Sequence, residues 1–239
     1  MPILALDNLR KQYGALSVIQ DLCLEVEPGE IVGILGPNGA GKTTLFNLIT
    51  GTVSPNSGRI IFDRRDVTAL DSSQRCRLGI SRSFQVPHPF VGMTVFENIL
   101  VGATFGRGGG DAEARALEVM RLTGMWTRAN VRAGALSLLE RKRLEMARAL
   151  AADPRLLLLD EIAGGLTDSE CISLLDAIRD IHSTGVTIIW IEHVVHALIS
   201  VAQRLVVMDF GRKMMDGRPD EVMASREVQA IYMGEEDHG

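Results

Sequence analysis

Several features that mark common classes of protein are scarce or missing in this chain of 239 residues. Its three cysteines are odd in number and lack metal-ligand spacing, which favours buried, reduced thiols over disulfides or a zinc site. No apolar run approaches the roughly 18 residues that a membrane span needs. A formal net charge of -5 provides no basic surface, so we expect no nucleic-acid partner.

Charged residues at Asp7 and Arg10 interrupt the apolar residues near the start of the chain, so we predict no signal peptide there. We therefore expect a soluble, cytosolic chain that needs a partner for any role at a membrane. Hydrophobic residues make up 46% of the sequence, which is enough for a sizeable core. The length suits one large domain, or one domain with a subdomain.

Short apolar runs rich in Ile, Leu and Val predict buried strands at 31–35, 156–159 and 186–191. Because these runs are apolar on both faces, they indicate a mostly parallel central sheet covered by helices. An amphipathic stretch at 166–181 supplies the strand–helix–strand order of a parallel unit. The sequence therefore predicts an α/β fold.

The middle of the chain has a different pattern. Residues 111–123 and 137–152 are predicted helices, which form a mostly helical insertion between two halves of the α/β lobe. The glycine-rich sequence GRGGG at 106–110 predicts a mobile loop. Residues 204–215 have the pattern of a β-hairpin.

One of only four lysines, against 21 arginines, lies in the sequence GPNGAGKT at 36–43, which we call the phosphate loop. It fits the phosphate-binding pattern G-x-x-x-x-G-K-[ST], with a strand before it and an amphipathic segment after it. Glycines let backbone N–H groups approach phosphate oxygens, and the following helix adds its positive end. The compact ammonium of Lys42 can bridge β- and γ-phosphates where a guanidinium is too broad. Thr43 is a predicted Mg²⁺ ligand.

A second motif, RLLLLDE at 155–161, places two carboxylates at the end of an apolar strand. The carboxyl ends of parallel strands form the ligand-binding edge of open α/β sheets. Asp160 is predicted to hold Mg²⁺ through water, and Glu161 to orient or deprotonate the attacking water.

These two motifs, in this order around a helical insertion, resemble the nucleotide-binding subunits of ABC transporters over essentially the whole chain. The resemblance implies a P-loop NTPase (ABC ATPase) domain with an N-terminal antiparallel β portion. It implies a catalytic α/β lobe at 1–86 and 153–239 and a helical subdomain at 87–152.

The resemblance also implies roles for further residues. Tyr13 is expected to stack on adenine, and Gln85 to link Mg²⁺ and water to the helical subdomain. His193 is expected to contact the γ-phosphate, which makes Glu161, His193 and Gln85 the predicted catalytic residues. The predicted Mg²⁺ ligands are Thr43, Gln85 and Asp160. The predicted ATP-binding residues are Tyr13, Gly36, Pro37, Asn38, Gly39, Ala40, Gly41, Lys42, Thr43, Thr44 and Ser137.

Five segments look like the branched-chain amino-acid (LIV-type) importers, namely SRSFQ at 81–85, MTVFENILVG at 93–102, RLEMARAL at 143–150, IEHVVHAL at 191–198 and VQAIYMGEE at 228–236. The narrower resemblance implies an ATPase held at the cytoplasmic face of the membrane by a separate permease. Its expected partners are a second ABC ATPase subunit, identical or different, and indirectly an external solute-binding protein. Importers of urea and other amides look similar and stay an alternative.

The permease is expected to dock near Gln85, along the apolar residues that follow it. These residues are Val86, Phe90, Val91, Met93, Val95 and Phe96. The alternative that about half of them belong to the core of the insertion stays open.

The sequence departs from the family at the signature usually written LSGGQ, where it has Leu136-Ser137-Leu138-Leu139-Glu140. We call residues 136–140 the signature segment; in the family it closes over the γ-phosphate bound by the opposite subunit. Leu138 and Leu139 remove the close approach that glycine permits. Glu140 adds a negative charge, which the basic residues 141–143, predicted on the helix surface, are expected to offset.

A further departure is Thr167, where Asp or Asn is usual. We therefore expect a different ATPase subunit as partner, with a weaker site where this signature segment takes part. An ATP-binding regulatory subunit with weak hydrolysis is the alternative.

Overall fold

A computed structural model describes residues 1–233, and strands and helices follow one another along this part of the chain. The strands are β1 (Leu4–Tyr13), β2 (Leu16–Val26), β3 (Ile31–Leu35), β4 (Ser57–Phe62), β5 (Arg65–Asp66), β6 (Ile80–Arg82), β7 (Leu156–Asp160), β8 (Thr187–Ile191), β9 (Arg204–Asp209) and β10 (Arg212–Gly217). The helices are α1 (Lys42–Thr50), α2 (Ser72–Leu78), α3 (Val95–Phe105), α4 (Ala112–Leu122), α5 (Leu138–Ala151), α6 (Asp168–Ser183), α7 (Val195–Ile199), α8 (Pro219–Ala224) and α9 (Arg226–Met233).

These elements form two compact units. The first combines Met1–Asp71 with the chain from Ile189 onward, and the second is Ser72–Ile188. The predicted catalytic lobe and helical subdomain at 87–152 are functional divisions of the chain, and they stay a prediction. Residues 234–239, which include the end of the predicted catalytic lobe and of the LIV-like segment at 228–236, lie outside the described residues.

The first unit contains the expected N-terminal antiparallel sheet, in the order β2-β1-β4-β5. Alternate side chains of β1 and β2 are buried, the pattern of a sheet with one covered face. All five residues of β3 are buried, and β3 pairs in parallel with β9. The predicted hairpin is confirmed, since β9 and β10 pair antiparallel.

The second unit contains a parallel pair of strands and a group of packed helices. Strands β6 and β7 run parallel, with Arg82 opposite Leu158. The predicted helices at 111–123 and 137–152 correspond to α4 and α5. Residues 106–110 form neither helix nor strand, as predicted for the glycine-rich loop.

The packing of α3 against α5 depends on a glycine. A Cβ atom on Gly102 would lie 2.3 Å from the carbonyl oxygen of Arg148 and 3.2 Å from the Cβ of Ala151. The absence of a side chain therefore lets the two helix backbones approach closely. Among the described residues, no helix is both long and apolar enough to span a membrane.

We predict that Gly102→Ala destabilises the protein, although alanine is the better helix former. The added methyl group would push α3 away from α5, and such overpacking costs about 1–3 kcal/mol in the free energy of unfolding. Urea unfolding followed by circular dichroism measures this change. Gly109→Ala is the matched control, because no atom lies within 4 Å of a Cβ at that position. Equal stability of the two variants would contradict the predicted close contact.

Candidate active site

The phosphate loop lies between β3 and α1 in the first unit. Gly36, Gly39 and Gly41 have φ angles of 153°, 83° and 98°, in a region that side chains with a Cβ rarely adopt. A Cβ on Gly36 would also lie 2.2 Å from the carbonyl oxygen of Met208. The glycines are thus required by backbone conformation, and they turn the chain directly into a helix N-terminus.

Lys42 is the first residue of α1, and its side chain folds back over the loop. Its Nζ donates to the carbonyl oxygens of Gly36 at 2.5 Å and of Pro37 at 2.9 Å, and the residue is only 6% exposed. Thr43 is exposed and Thr44 half-buried in the first turn of α1. The loop therefore combines an ammonium group, a hydroxyl group and helix N–H donors, which together suit an anion such as phosphate.

Two more predicted residues belong to the first unit. Tyr13 ends β1 with 47% of its surface exposed, and Lys11 Nζ lies 5.0 Å from the centre of its ring. His193 is exposed just after β8. Its backbone N–H donates to Oε1 of Glu192 at 3.0 Å, and the N–H of Val194 donates to the same atom at 3.3 Å. Glu192 is only 1% exposed, so a buried carboxylate fixes the backbone that carries His193.

In the second unit, the parallel pairing of β6 with β7 gathers polar side chains at the carboxyl ends of both strands. Asp160 is the last residue of β7 and is 3% exposed, while Glu161 follows with a φ of 47°. Gln85 Nε2 donates a hydrogen bond to Oε2 of Glu161. Ser83 Oγ accepts the backbone N–H of Asp160 at 3.3 Å. The predicted pair Gln85 and Glu161 is therefore in contact.

Sequence reasoning missed Arg82 at this edge. Its Nη2 lies 2.5 Å from Oδ2 of Asp160, and the two side chains are only 8% and 4% exposed. The available signal was a charged residue in a three-residue strand, Ile80–Arg82, whose other two members are buried. In this position an arginine needs a buried acid nearby.

The signature segment forms the start of α5. Ser137 is the N-cap, its side chain accepts the N–H of Glu140, and the Glu140 carboxylate accepts the N–H of Ser137 in return. Arg128 Nε lies 2.6 Å from Oε1 of Glu140. The Ser137 N–H hydrogen bond, supported by Arg128, lowers the pKa of Glu140 below its usual value. Glu140 therefore caps its own helix.

One of the basic residues 141–143, Lys142, does not have the expected surface position, whereas Arg141 is exposed as predicted. Arg128, which lies outside that cluster, pairs with Glu140. Lys142 does not lie on the helix surface, since it is only 5% exposed and its Nζ donates to the backbone oxygen of Glu161 at 3.3 Å. Arg143 Nη2 donates to the backbone oxygen of Ser173 at 2.8 Å. The cluster joins α5 to neighbouring segments of the second unit.

The other departure from the family pattern has a similar explanation. Thr167 is the N-cap of α6 and forms a capping box with Glu170. A threonine hydroxyl accepts the same N-terminal N–H group that an aspartate would, so the helix start is retained. Leu138 lies close to this region, with its Cδ2 atom 3.5 Å from the place of a Cβ on Gly165.

We call residues 86–96 the docking segment; within it, the structure separates exposed from buried apolar residues. Val86, Phe90 and Val91 are 60%, 46% and 64% exposed, whereas Val95 is fully buried, so Val95 belongs to the core of the insertion. Buried Asn98 fixes the segment: its Oδ1 accepts the N–H of Phe90 at 2.9 Å.

Helix α5 contacts the docking segment through Glu145 and Arg148. Arg148 Nη1 donates to the backbone oxygen of His88 at 2.8 Å, and the Arg148 guanidinium lies 4.9 Å from the ring centre of Phe90. The N–H of His88 donates to Oε2 of Glu145 at 3.3 Å. Burial raises the pKa of Glu145, which is 4% exposed. The helix that begins with the signature segment therefore also holds the docking segment.

Comparison with known proteins identifies the family to which this chain belongs. The family described as ABC transporter matches residues 19–164, which is more than half of the chain. The chain therefore belongs to the ABC transporter family, and it is an ATP-binding, ATP-hydrolysing subunit of such a transporter. The predicted P-loop NTPase fold is confirmed by solved ATP-binding cassettes, described next.

A nucleotide-free ATP-binding cassette from an ABC transporter shares 27% identity with this chain at a TM-score of 0.89, covering 97% of this chain and 99% of that one. The ADP conformation of MJ1267, another ATP-binding cassette of an ABC transporter, shares 28% identity at a TM-score of 0.88, covering 98% and 99%.

Two kinds of named relatives are similar along nearly their whole length. The high-affinity branched-chain amino acid transport ATP-binding protein LivG of Salmonella typhimurium is 34% identical, with 98% of each chain covered. The lipopolysaccharide export system ATP-binding protein LptB of Acidithiobacillus ferridurans is 32% identical, also with 98% of each covered.

The capping box of α5 predicts that the free energy of unfolding depends on pH. Because the pKa of Glu140 is lower in the folded than in the unfolded chain, its contribution to stability is present above the unfolded pKa of about 4.3 and is lost as pH falls through the folded value. Glu140→Gln should therefore lower the free energy of unfolding at pH 7 by about 0.3–1 kcal/mol, the range for a charge at a helix N-terminus.

Urea unfolding at a series of pH values measures this effect. The difference between the wild type and Glu140→Gln should shrink as the pH falls below about 4.3. Glu25→Gln, at an exposed strand position, is the control and should leave the profile unchanged. A Glu140→Gln difference that stays constant over the whole pH range would contradict the capping role.

Proposed function

We propose that this ATPase energises the uptake of branched-chain or related amino acids through a separate membrane permease, which holds it at the cytoplasmic face. The observation that carries the proposal is the similarity to LivG over 98% of both chains. The LIV-like segments described from the sequence point the same way. The comparable similarity to LptB makes export of a lipopolysaccharide the second candidate. Importers of urea and other amides remain a narrower alternative.

The phosphate loop is the proposed binding site of the ATP triphosphate. Three glycines with positive φ expose backbone N–H groups, and Lys42 and the start of α1 add positive charge. Tyr13, exposed at the end of β1, is the proposed stacking partner of adenine. Ser137 of the signature segment is proposed to contact the nucleotide bound by the opposite subunit.

Thr43, Gln85 and Asp160 are the proposed residues for Mg²⁺, on the basis of the sequence motifs. A hydroxyl, an amide oxygen and a carboxylate are the hard oxygen donors that Mg²⁺ prefers. Among residues 1–233, no group of three or more His, Cys, Asp or Glu side chains could hold a metal ion. This fits a metal that also needs the phosphates of the nucleotide as ligands. When bound, Mg²⁺ would neutralise charge on the β- and γ-phosphates.

Glu161 is the proposed base that orients or deprotonates the attacking water. The hydrogen bond from Gln85 Nε2 orients its carboxylate, and the Lys142 ammonium donates to its backbone oxygen. His193 is the proposed contact of the γ-phosphate, on a backbone held by buried Glu192. Gln85 thus orients the carboxylate of Glu161, and Glu192 fixes the backbone of His193.

Two partners are proposed for exposed surfaces of the second unit. The exposed apolar residues of the docking segment, Val86, Phe90 and Val91, are the proposed contact of the permease. The proposed second subunit is a different ABC ATPase. The supporting observation is an exposed Leu138, with 47% of its surface accessible, where the family has glycine. A partner with an intact signature would then complete the site on this chain's phosphate loop.

We expect Glu161→Gln to keep ATP binding but to lower turnover by at least about 10², because the amide cannot take a proton from water. Phosphate release by the purified chain, alone and with its permease complex, measures turnover. In cells that depend on this chain, the same variant should abolish the uptake of labelled leucine, isoleucine or valine.

Glu118→Gln, at an exposed carboxylate of the second unit, is the control and should retain turnover and uptake. Turnover unchanged in Glu161→Gln would contradict the role of Glu161. Normal amino-acid uptake together with a defect in lipopolysaccharide export would contradict the importer and favour the second candidate.

The signature segment provides a separate prediction. The double substitution Leu138→Gly and Leu139→Gly should raise turnover in the assembled complex, because it restores the close approach of the backbone to a phosphate. The matched double substitution to alanine shortens the side chains but keeps their Cβ atoms, and it should raise turnover less. Unchanged turnover in the glycine variant would rule out the signature segment as the cause of a weaker site.

A further inference from the structure

The ion pair between Arg82 and Asp160 lies at the end of two buried parallel strands. Arg82 ends β6 and Asp160 ends β7, so the pairing of the strands brings the two side chains together. The distance from Nη2 to Oδ2 is 2.5 Å, and less than a tenth of each side chain is exposed. Water therefore does little to screen this pair.

The surroundings hold both partners in position. The guanidinium of Arg82 lies 5.2 Å from the ring centre of Phe84, within the range of a cation–π contact. Ser83 Oγ accepts the backbone N–H of Asp160, and the N–H of Ser83 donates to the backbone oxygen of Leu158. An arginine that ends its strand in this way cannot swing far from the carboxylate without breaking several contacts.

The positive charge of Arg82 affects the binding of any cation that approaches Asp160. A buried carboxylate needs compensating hydrogen bonds or positive charge, and Arg82 supplies a full unit of positive charge. The same charge repels a divalent ion, since like charges a few ångströms apart repel more strongly in a buried site than in water. A bound triphosphate would provide the negative charge needed to overcome that repulsion.

We propose that Arg82 is a built-in counter-cation that neutralises Asp160 in the nucleotide-free protein and thereby makes metal binding depend on nucleotide. Arg82 is a positioning residue, acting through Asp160. This inference rests on the proposed function, in which Asp160 holds Mg²⁺. Its consequence is that the metal enters with ATP and not before it.

The test measures the affinity of the full-length, nucleotide-free chain for Mn²⁺, using the electron paramagnetic resonance signal of free Mn²⁺. Arg82→Gln removes the charge but keeps a hydrogen-bond donor, and it should bind Mn²⁺ about tenfold or more tightly than the wild type. Arg82→Lys keeps the charge and should bind as weakly as the wild type. An affinity of Arg82→Gln that equals or falls below that of the wild type overturns the proposal.

Thermal unfolding provides a second readout, which also reports whether the variants fold. Arg82→Gln leaves a buried carboxylate uncompensated, so its melting temperature without metal should be lower than that of the wild type. Added Mg²⁺ should raise the melting temperature of Arg82→Gln more than that of the wild type. The double variant Arg82→Gln with Asp160→Asn should lose this extra rise, and its retention there would overturn the proposal.

Asp160→Asn distinguishes failure of this inference from failure of the proposed metal site. If Asp160 holds the metal, this variant weakens Mn²⁺ binding in the presence of ATP. An unchanged affinity would overturn both the proposed role of Asp160 and the role of Arg82. A weakened affinity, with nucleotide-free Arg82→Gln still like the wild type, would overturn the role of Arg82 alone.

Discussion

Both units depend on one constraint, which is that charged side chains are buried at or just beyond the ends of apolar strands. Asp160 and Glu192 lie at or just after strands whose side chains are all inaccessible to water, and Lys42 follows the loop after a third. A buried charge needs a compensating partner, and each of these has one nearby. Lys42 uses loop carbonyl groups, Asp160 uses Arg82, and Glu192 uses two backbone N–H groups. These charged side chains are therefore held in fixed positions.

Helix capping explains two of the residues that depart from the family pattern, Glu140 and Thr167. Helices α3, α5 and α6 each begin with a capping box, formed by Thr94 and Glu97, by Ser137 and Glu140, and by Thr167 and Glu170. Glu140 and Thr167 are therefore suited to start helices, whatever effect they have on communication between subunits. Leu138 and Leu139 have no such role, and they carry the argument for an unequal pair of sites.

Helix α5 links two surfaces that the proposed function treats separately. It begins within the signature segment, while Glu145 in its middle and Arg148 in its last turn hold His88 and Phe90 of the docking segment. A helix is stiff over this length, so one rigid element connects the two surfaces. The close contact at Gly102 adds to this stiffness, because α3 packs directly on the backbone of α5.

Local sequence patterns predicted the buried strands at 31–35, 156–159 and 186–191, the hairpin at 204–215, the helices at 111–123 and 137–152, and the phosphate loop. Glycines in a loop with positive φ, uniformly apolar five-residue runs and helical periodicity each depend on residues close together along the chain. Only the tertiary structure showed that Arg82 faces Asp160, that Lys142 is buried and that Arg128 pairs with Glu140. Arg82 and Asp160 are 78 residues apart in the sequence. Lys142 and Glu161 are 19 apart, and Arg128 and Glu140 are 12 apart. No local pattern specifies such contacts, since the pairing of strands and the packing of helices decide which distant charges meet.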